Sequence, residues 1–157
     1  MNFNKILVAI DRSSQANLLF THAISLAKQN SAAIHFFHCL EIQSGSSAIK
    51  IEREITEVKQ LLADYQNLAK QEEIEVNFSC QVGNIGKTIC HSARELQADL
   101  ILLGRRGYRG LLAAIAGSVS SYVVNRAPCS VLVVQDLDRQ IRVDSHKKIF
   151  NLNIFGG

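Results

Sequence analysis

Residues 104–120 read Gly-Arg-Arg-Gly-Tyr-Arg-Gly-Leu-Leu-Ala-Ala-Ile-Ala-Gly-Ser-Val-Ser. Glycine lets backbone approach a bound group closely and reach dihedrals that other residues avoid. The run follows the apolar stretch Leu100-Ile101-Leu102-Leu103 and ends in Gly117-Ser118-Val119-Ser120, which suits the start of a helix. Free N–H groups at a helix start attract anions, and a serine hydroxyl adds a donor. Arg105, Arg106 and Arg109 put positive charge on the same stretch. Amides, hydroxyls and guanidinium groups together describe a cradle for phosphate. The alternative is a turn that binds nothing.

Other candidate chemistry is weaker. Gly83-Asn84-Ile85-Gly86-Lys87-Thr88 ends like a Walker phosphate loop, but the position of that motif's first glycine is Gln81. The loop from Gly83 is also too short to wrap a phosphate, so a plain strand-to-helix turn with Lys87 exposed is expected. Gly104, Gly107 and Gly110 do not follow the Gly-x-Gly-x-x-Gly fingerprint, which argues against a nicotinamide cofactor. Cys39, Cys80, Cys90 and Cys129 form no Cys-x-x-Cys pair and read as buried free thiols. His35 and His38 lie on a strand-like run and point to opposite faces, which argues against metal spacing. Ser13 and Ser14 are read as caps of the first helix rather than as nucleophiles. Asp99 precedes a strand and holds a turn at the end away from the glycine run. Glu52, Glu54 and Glu57 belong to a solvated helix face. No poised general base and no catalytic residue emerge.

The elements that must position the glycine run follow from periodicity. Continuous apolar runs predict strands at 5–10, 33–40, 100–103 and 130–134, and alternation at 73–82 predicts an edge strand. Ala16, Leu19, Phe20, Ala23, Ile24 and Ala27 recur at helical spacing, and Ile51, Ile55, Val58, Leu62 and Tyr65 stripe a long helix over roughly 47–71. Ile85, Ile89, Ala93 and Leu96 make a third helix. Val119, Tyr122 and Val123 place a fourth, which stops before Pro128. Strand and helix alternate throughout, which predicts a single-domain α/β protein with an open, doubly wound, parallel five-stranded sheet, Rossmann-like, with helices on both faces. In strand order 3-2-1-4-5, ligands bind where the order reverses, beyond the first and fourth strands. That brings Asp11 beside the glycine run.

The bulk numbers agree with this class. At 157 residues the chain suits one domain with a sizeable core. Hydrophobic residues make up 47% and charged residues 20%, as in ordinary soluble proteins. A net charge of +3 without a basic, aromatic-interleaved stripe argues against nucleic acid. The apolar run near the start is too short for a signal peptide or membrane span, so a cytoplasmic location without membrane contact is expected. Residues 136–157 form a separate tail that ends in an alternating apolar stretch and two glycines. A partner-binding strand, a flap over the core and disorder all remain open for it.

Several blocks resemble the universal stress protein family, in its ATP-binding branch. Gly104, two residues, Gly107, nine residues and Gly117-Ser118 match that family's glycine signature. The blocks 5–11, 98–104 and 127–134 resemble its opening, fourth and closing strands, and His38 stands where its second strand commonly ends in His-Val. The resemblance covers roughly residues 3–135. It implies ATP, or alternatively ADP or AMP, with Mg2+ offsetting phosphate charge, and a homodimer paired through the last strand. Carried over, Gly104 and Gly107 contact ribose and inner phosphates, while Gly117, Ser118, Val119 and Ser120 hold the outer ones. Ala9, Ile10 and Asp11 border adenine and sugar. Cys39 takes the place of the valine whose backbone recognises adenine, and Leu103 replaces a methionine of the pocket wall. Arg12 departs from the usual glycine and Ser130 from a common proline. The domain is placed at 1–135 and the tail, 136–157, as a partner or dimer contact. The implied function is adenine-nucleotide binding in stress response or signalling, with at most weak hydrolysis. A dimeric interaction module with a vestigial pocket and a slow ATP hydrolase are the alternatives.

Overall fold

Ile6, Leu7 and Val8 are consecutive, and all three are fully buried. Three successive strand residues lose all solvent contact only when both faces of their sheet are covered. They lie in β1 (Lys5–Ala9). The computed structural model describes residues 1–13, 15–105 and 118–135, with the backbone alone at Ser118. Ser14, residues 106–117 with Gly107 and Gly117, and the tail 136–157 lie outside the described residues. After β1 the chain alternates through α1 (Ala16–Asn30), β2 (Ala33–Leu40), α2 (Ala48–Gln71), β3 (Val76–Val82), α3 (Ile85–Glu95), β4 (Leu100–Arg105), α4 (Ser118–Arg126) and β5 (Ser130–Gln135).

The strands form one parallel sheet in the order β3-β2-β1-β4-β5, the predicted order. Ile6, Val8, Ile34, Phe36 and Leu102 pack one face against α1 and α2, with Leu19, Phe20, Leu62 and Tyr65. Phe20 and Tyr65 stack with ring centroids 4.5 Å apart, and Phe36 closes the trio. Leu7, Phe37, Ile101 and Leu103 pack the other face against Ile89, Ala93 and Val123 of α3 and α4.

Element ends differ from the periodicity for identifiable reasons. Ile10 lies just past β1 yet still donates its N–H to the Phe37 carbonyl at 2.8 Å. The edge strand β3 begins at Val76 rather than 73, because Glu73 takes a left-handed φ of 57° and closes the end of α2. β4 runs on through Gly104 and Arg105 because Val134 and Gln135 extend the ladder beside them. The first helix also starts differently from expectation. Gln15 occupies its cap position with no side-chain cap bond, while Ser13 accepts the Gln15 N–H on its Oγ at 3.3 Å and the Ala16 N–H on its carbonyl at 3.2 Å. At the opposite end of the sheet, Asp99 accepts the N–H groups of Asn4 and Lys5 and ties β1 to β4.

Candidate functional site

Because β1 is central, its neighbours β2 and β4 receive crossovers of opposite direction. The loops after β1 and β4 therefore part, and a crevice opens between them. Ala9 and Leu103 are register partners at its floor. The cleft there has a volume of about 1010 Å³, a size that suits a nucleotide-sized ligand. Ala9, Ile10, Asp11, Cys39, Leu103, Gly104, Val119 and Ser120 all line it. Eight of the eleven expected site residues thus converge from β1, β2, β4 and α4. Ser118 is the first residue of α4. Gly107 and Gly117 lie outside the described residues.

Asp11 is half-buried, and its Oδ1 accepts the Ser13 N–H at 2.8 Å. This local bond is the kind that shapes a turn, and it aims the chain from β1 toward α1. Cys39 points to the α3 side, where its thiol donates to the Gly83 carbonyl at 3.4 Å. Burial pushes the Cys39 thiol up from its ordinary value, partly offset by a Thr88 hydrogen bond. A thiol held protonated in this way is a wall group rather than a nucleophile. Leu103 is buried, and Val119 packs beside it.

The other wall belongs to the first turns of α2, which starts on a Ser47 cap accepting the Lys50 N–H. Glu52 and Glu57 are exposed, as expected of a solvated face, and Glu54 departs from that expectation. Glu54 is half-buried and lines the cleft. Its carboxylate lies 3.9 Å from Arg12, and Glu57 lies 3.3 Å from the same guanidinium. Arg12, which stands where the family pattern has glycine, pairs with these carboxylates and links the turn after β1 to α2.

His38 is 4% exposed and also lines the cleft. Its Nδ1 lies 2.8 Å from the Ile10 carbonyl oxygen. A carbonyl only accepts, so Nδ1 carries a hydrogen, and the ring's second nitrogen is Nε2. That Nε2 is buried without a hydrogen-bond partner, 3.9 Å from Glu54. The ring joins the ends of β1 and β2 at the place where the cleft begins.

Gln15 is the contributor that sequence reasoning missed. Its side chain crosses from the start of α1 to β4, where Nε2 donates to the Arg105 carbonyl at 2.6 Å. No residue pattern announces such a bond, since its partners are 90 positions apart. The described charges of the cleft lining are Asp11, Glu41 and Glu54 against Arg12 and Lys50. Described side chains therefore bring no positive excess, and an anionic group there depends on backbone amides and on residues of the glycine run. Among the described residues no group of three or more His, Cys, Asp or Glu is placed to hold a metal ion.

The model of the universal stress protein family matches residues 2–135. Universal stress protein Sll1388 of Synechocystis is 34% identical, over 86% of this chain and 99% of its own. The solved universal stress protein UspA from Lactobacillus plantarum superposes with a TM-score of 0.74 at 25% identity, covering 85% of this chain and 99% of that one. Two further likenesses extend to the fold alone. A universal stress protein from Archaeoglobus fulgidus, solved in complex with dAMP, has a TM-score of 0.63 at 22% identity and covers 85% and 98%. An Arabidopsis thaliana member with AMP bound has a TM-score of 0.63 at 18% identity and covers 87% and 94%. With its sheet order, its switch-point cleft and a family match spanning nearly all of the described chain, this protein belongs to the universal stress protein family.

Proposed function

We propose that the chain binds an adenine nucleotide in the cleft beyond β1 and β4, and that its role in stress response or signalling is exercised through binding. The observation that carries this reading is the convergence of Ala9, Ile10, Asp11, Cys39, Leu103, Gly104, Val119 and Ser120 on one cavity. The dAMP and AMP complexes of relatives with the same fold support adenine as the base. In the proposed arrangement the base and sugar lie against the ends of β1 and β2. The phosphates lie toward Gly104, Gly107 and the Gly117–Ser120 helix start. ATP with Mg2+ is the proposed ligand, because a triphosphate needs its charge offset where the described side chains supply none in excess. Hydrolysis is at most slow, since no described residue is poised to orient a water. Residues 1–135 act as the nucleotide-binding domain, and the protein works in the cytoplasm. It pairs through β5, the open sheet edge on which Leu132 is 41% exposed, and residues 136–157 act as a partner or dimer contact.

Calorimetry with AMP, ADP and ATP, each with and without Mg2+, tests this directly. Gly107→Val and Gly117→Val should weaken ATP binding by about tenfold or more, as expected for side chains forced into a backbone cradle. Unchanged ATP affinity in both variants would remove the cradle and favour an interaction module with a vestigial pocket.

A further inference from the structure

Strand β3 is an edge of the sheet, and among the described residues no other strand pairs with its outer side. Its residues, Val-Asn-Phe-Ser-Cys-Gln-Val, include no charge and no proline. Its register with β2 runs unbroken from Ile34–Val76 to Leu40–Val82, without a bulge. Charges, prolines, bulges and covering segments are what keep an edge from pairing with another chain. Among the described residues Gln66 covers one end, where its Nε2 donates to the Val76 carbonyl at 3.2 Å. The rest of the edge lies open, with Phe78 38% and Val82 57% exposed. The direction of its main-chain groups follows from the bonds at either end of β3. The Glu75 carbonyl accepts from Ile34, and the Gly83 N–H donates to Leu40. Groups of odd-numbered residues therefore point inward to β2, and those of Phe78, Cys80 and Val82 point outward.

We propose that this edge pairs, antiparallel, with the β3 edge of a second copy of the chain, about a two-fold axis at Ser79. The strand reads alike from both ends: valine, amide, apolar, serine, apolar, amide, valine, with the thiol counted as apolar. Full overlap sets Val76 against the partner's Val82, Asn77 against Gln81 and Phe78 against Cys80. Each pair matches in kind and shares a face, as a contact between identical surfaces requires. The outward groups agree with the same register, since Phe78 and the partner's Cys80 then exchange both main-chain bonds. A slip of one residue would set outward groups against inward ones. The absence of charge on the strand also spares two chains of net charge +3 a like-charge contact at the axis. Pairing through β5 uses the opposite edge of the sheet and does not compete.

Cysteine placed at the axis reads the contact directly. In Ser79→Cys the two Cα atoms would lie about 4.5 Å apart, a separation that a disulfide spans. In Asn77→Cys, on the same face of the same edge, they would lie about 14 Å apart, beyond its reach. After oxidation with diamide at equal concentration, Ser79→Cys should give at least about tenfold more linked dimer, with peptide mapping placing position 79 on both sides of the link. Sedimentation supplies a reading free of added cysteine. Phe78→Lys sets like charges diagonally across the axis and should lower the mean mass about twofold where wild type is associated, with its circular dichroism unchanged. Equal yields from the two cysteine variants, or a Phe78→Lys mass equal to that of wild type, overturn the proposal. A link through Cys80 in wild type overturns this register. A position-79 link that appears only once residues 136–157 are removed gives the edge to the chain's own tail and overturns the second copy as its occupant.

Discussion

His38 shows how one buried side chain can hold two strand ends together. Its Nδ1–H donates to the Ile10 carbonyl at 2.8 Å, and Ile10 in turn donates its N–H to Phe37, the residue before His38. Both groups sit at the edge of the cleft, where β1 has ended and no further ladder bond is available. Truncation to alanine would leave the Ile10 carbonyl without its side-chain donor and open a void beside Glu54. We expect His38→Ala to lower stability by about 3 kcal/mol, the sum of an unmade buried hydrogen bond and a small cavity. His38→Leu fills the void and also removes the unpartnered Nε2. It should therefore lose only about 1–2 kcal/mol, mostly for the stranded carbonyl. Urea unfolding of the two variants separates these contributions. Equal losses would mean that the hydrogen bond alone keeps this histidine, and a leucine variant as stable as wild type would mean that packing does. The sequence identified His38 only by its likeness to a family pattern. Its work was hidden because the partner is a backbone carbonyl 28 residues away.

At the scale of elements, most of the fold was legible. Runs such as Ile6-Leu7-Val8 and Leu100-Ile101-Leu102-Leu103 are apolar on both faces, and only a doubly covered parallel strand satisfies that pattern. The lining of the cleft by strand ends was legible for the same reason, since topology alone brings Asp11 and Gly104 together. Glu54 and Gln15 were not legible. A long polar side chain carries no periodic signature of its target, and a helix stripe such as Ile51, Ile55 and Val58 says nothing of a glutamate at its flank. Gly86 belongs to this second group. It looked like part of a phosphate motif, yet it lies in α3 as a packing site. A Cβ there would stand 2.8 Å from Cδ1 of Tyr122 in α4. Gly86→Ala should therefore push α4 away from α3 and destabilise by about 1–3 kcal/mol, despite alanine's better helix propensity. The urea midpoint should fall with the slope unchanged. A stabilised Gly86→Ala protein would show that α4 moves aside freely. Val119 and Ser120, which face the cleft from α4, would then not be held by this contact.

For the whole molecule, burial acts on titratable groups in opposite directions and so brackets a range of pH. Burial, with Lys5 adding to it, lowers the pKa of His35 below its ordinary 6.5. The unfolded chain then takes up this proton more readily than the folded one, and stability declines as pH falls below that value. Burial is likewise the leading cause that pushes the thiols of Cys39, Cys80, Cys90 and Cys129 above their ordinary 9.0. It also raises the Tyr65 hydroxyl, which donates to Asn17 at 2.6 Å. For these acids the unfolded chain loses its protons first, so stability present at neutral pH is lost as pH climbs past the ordinary thiol value. The acid and alkaline losses have independent chemical owners. We expect a melting temperature that is flat between about pH 6.5 and 9 and falls on both sides. His35→Gln keeps a polar partner for Ser79, which His35 meets at 2.8 Å, and should flatten the acid side down to about pH 5. Replacing the two buried thiols by Cys39→Ala and Cys90→Ala should soften the alkaline side and leave the acid side as it was. A melting temperature that still rises beyond about pH 9 would contradict the burial of these groups in the folded state.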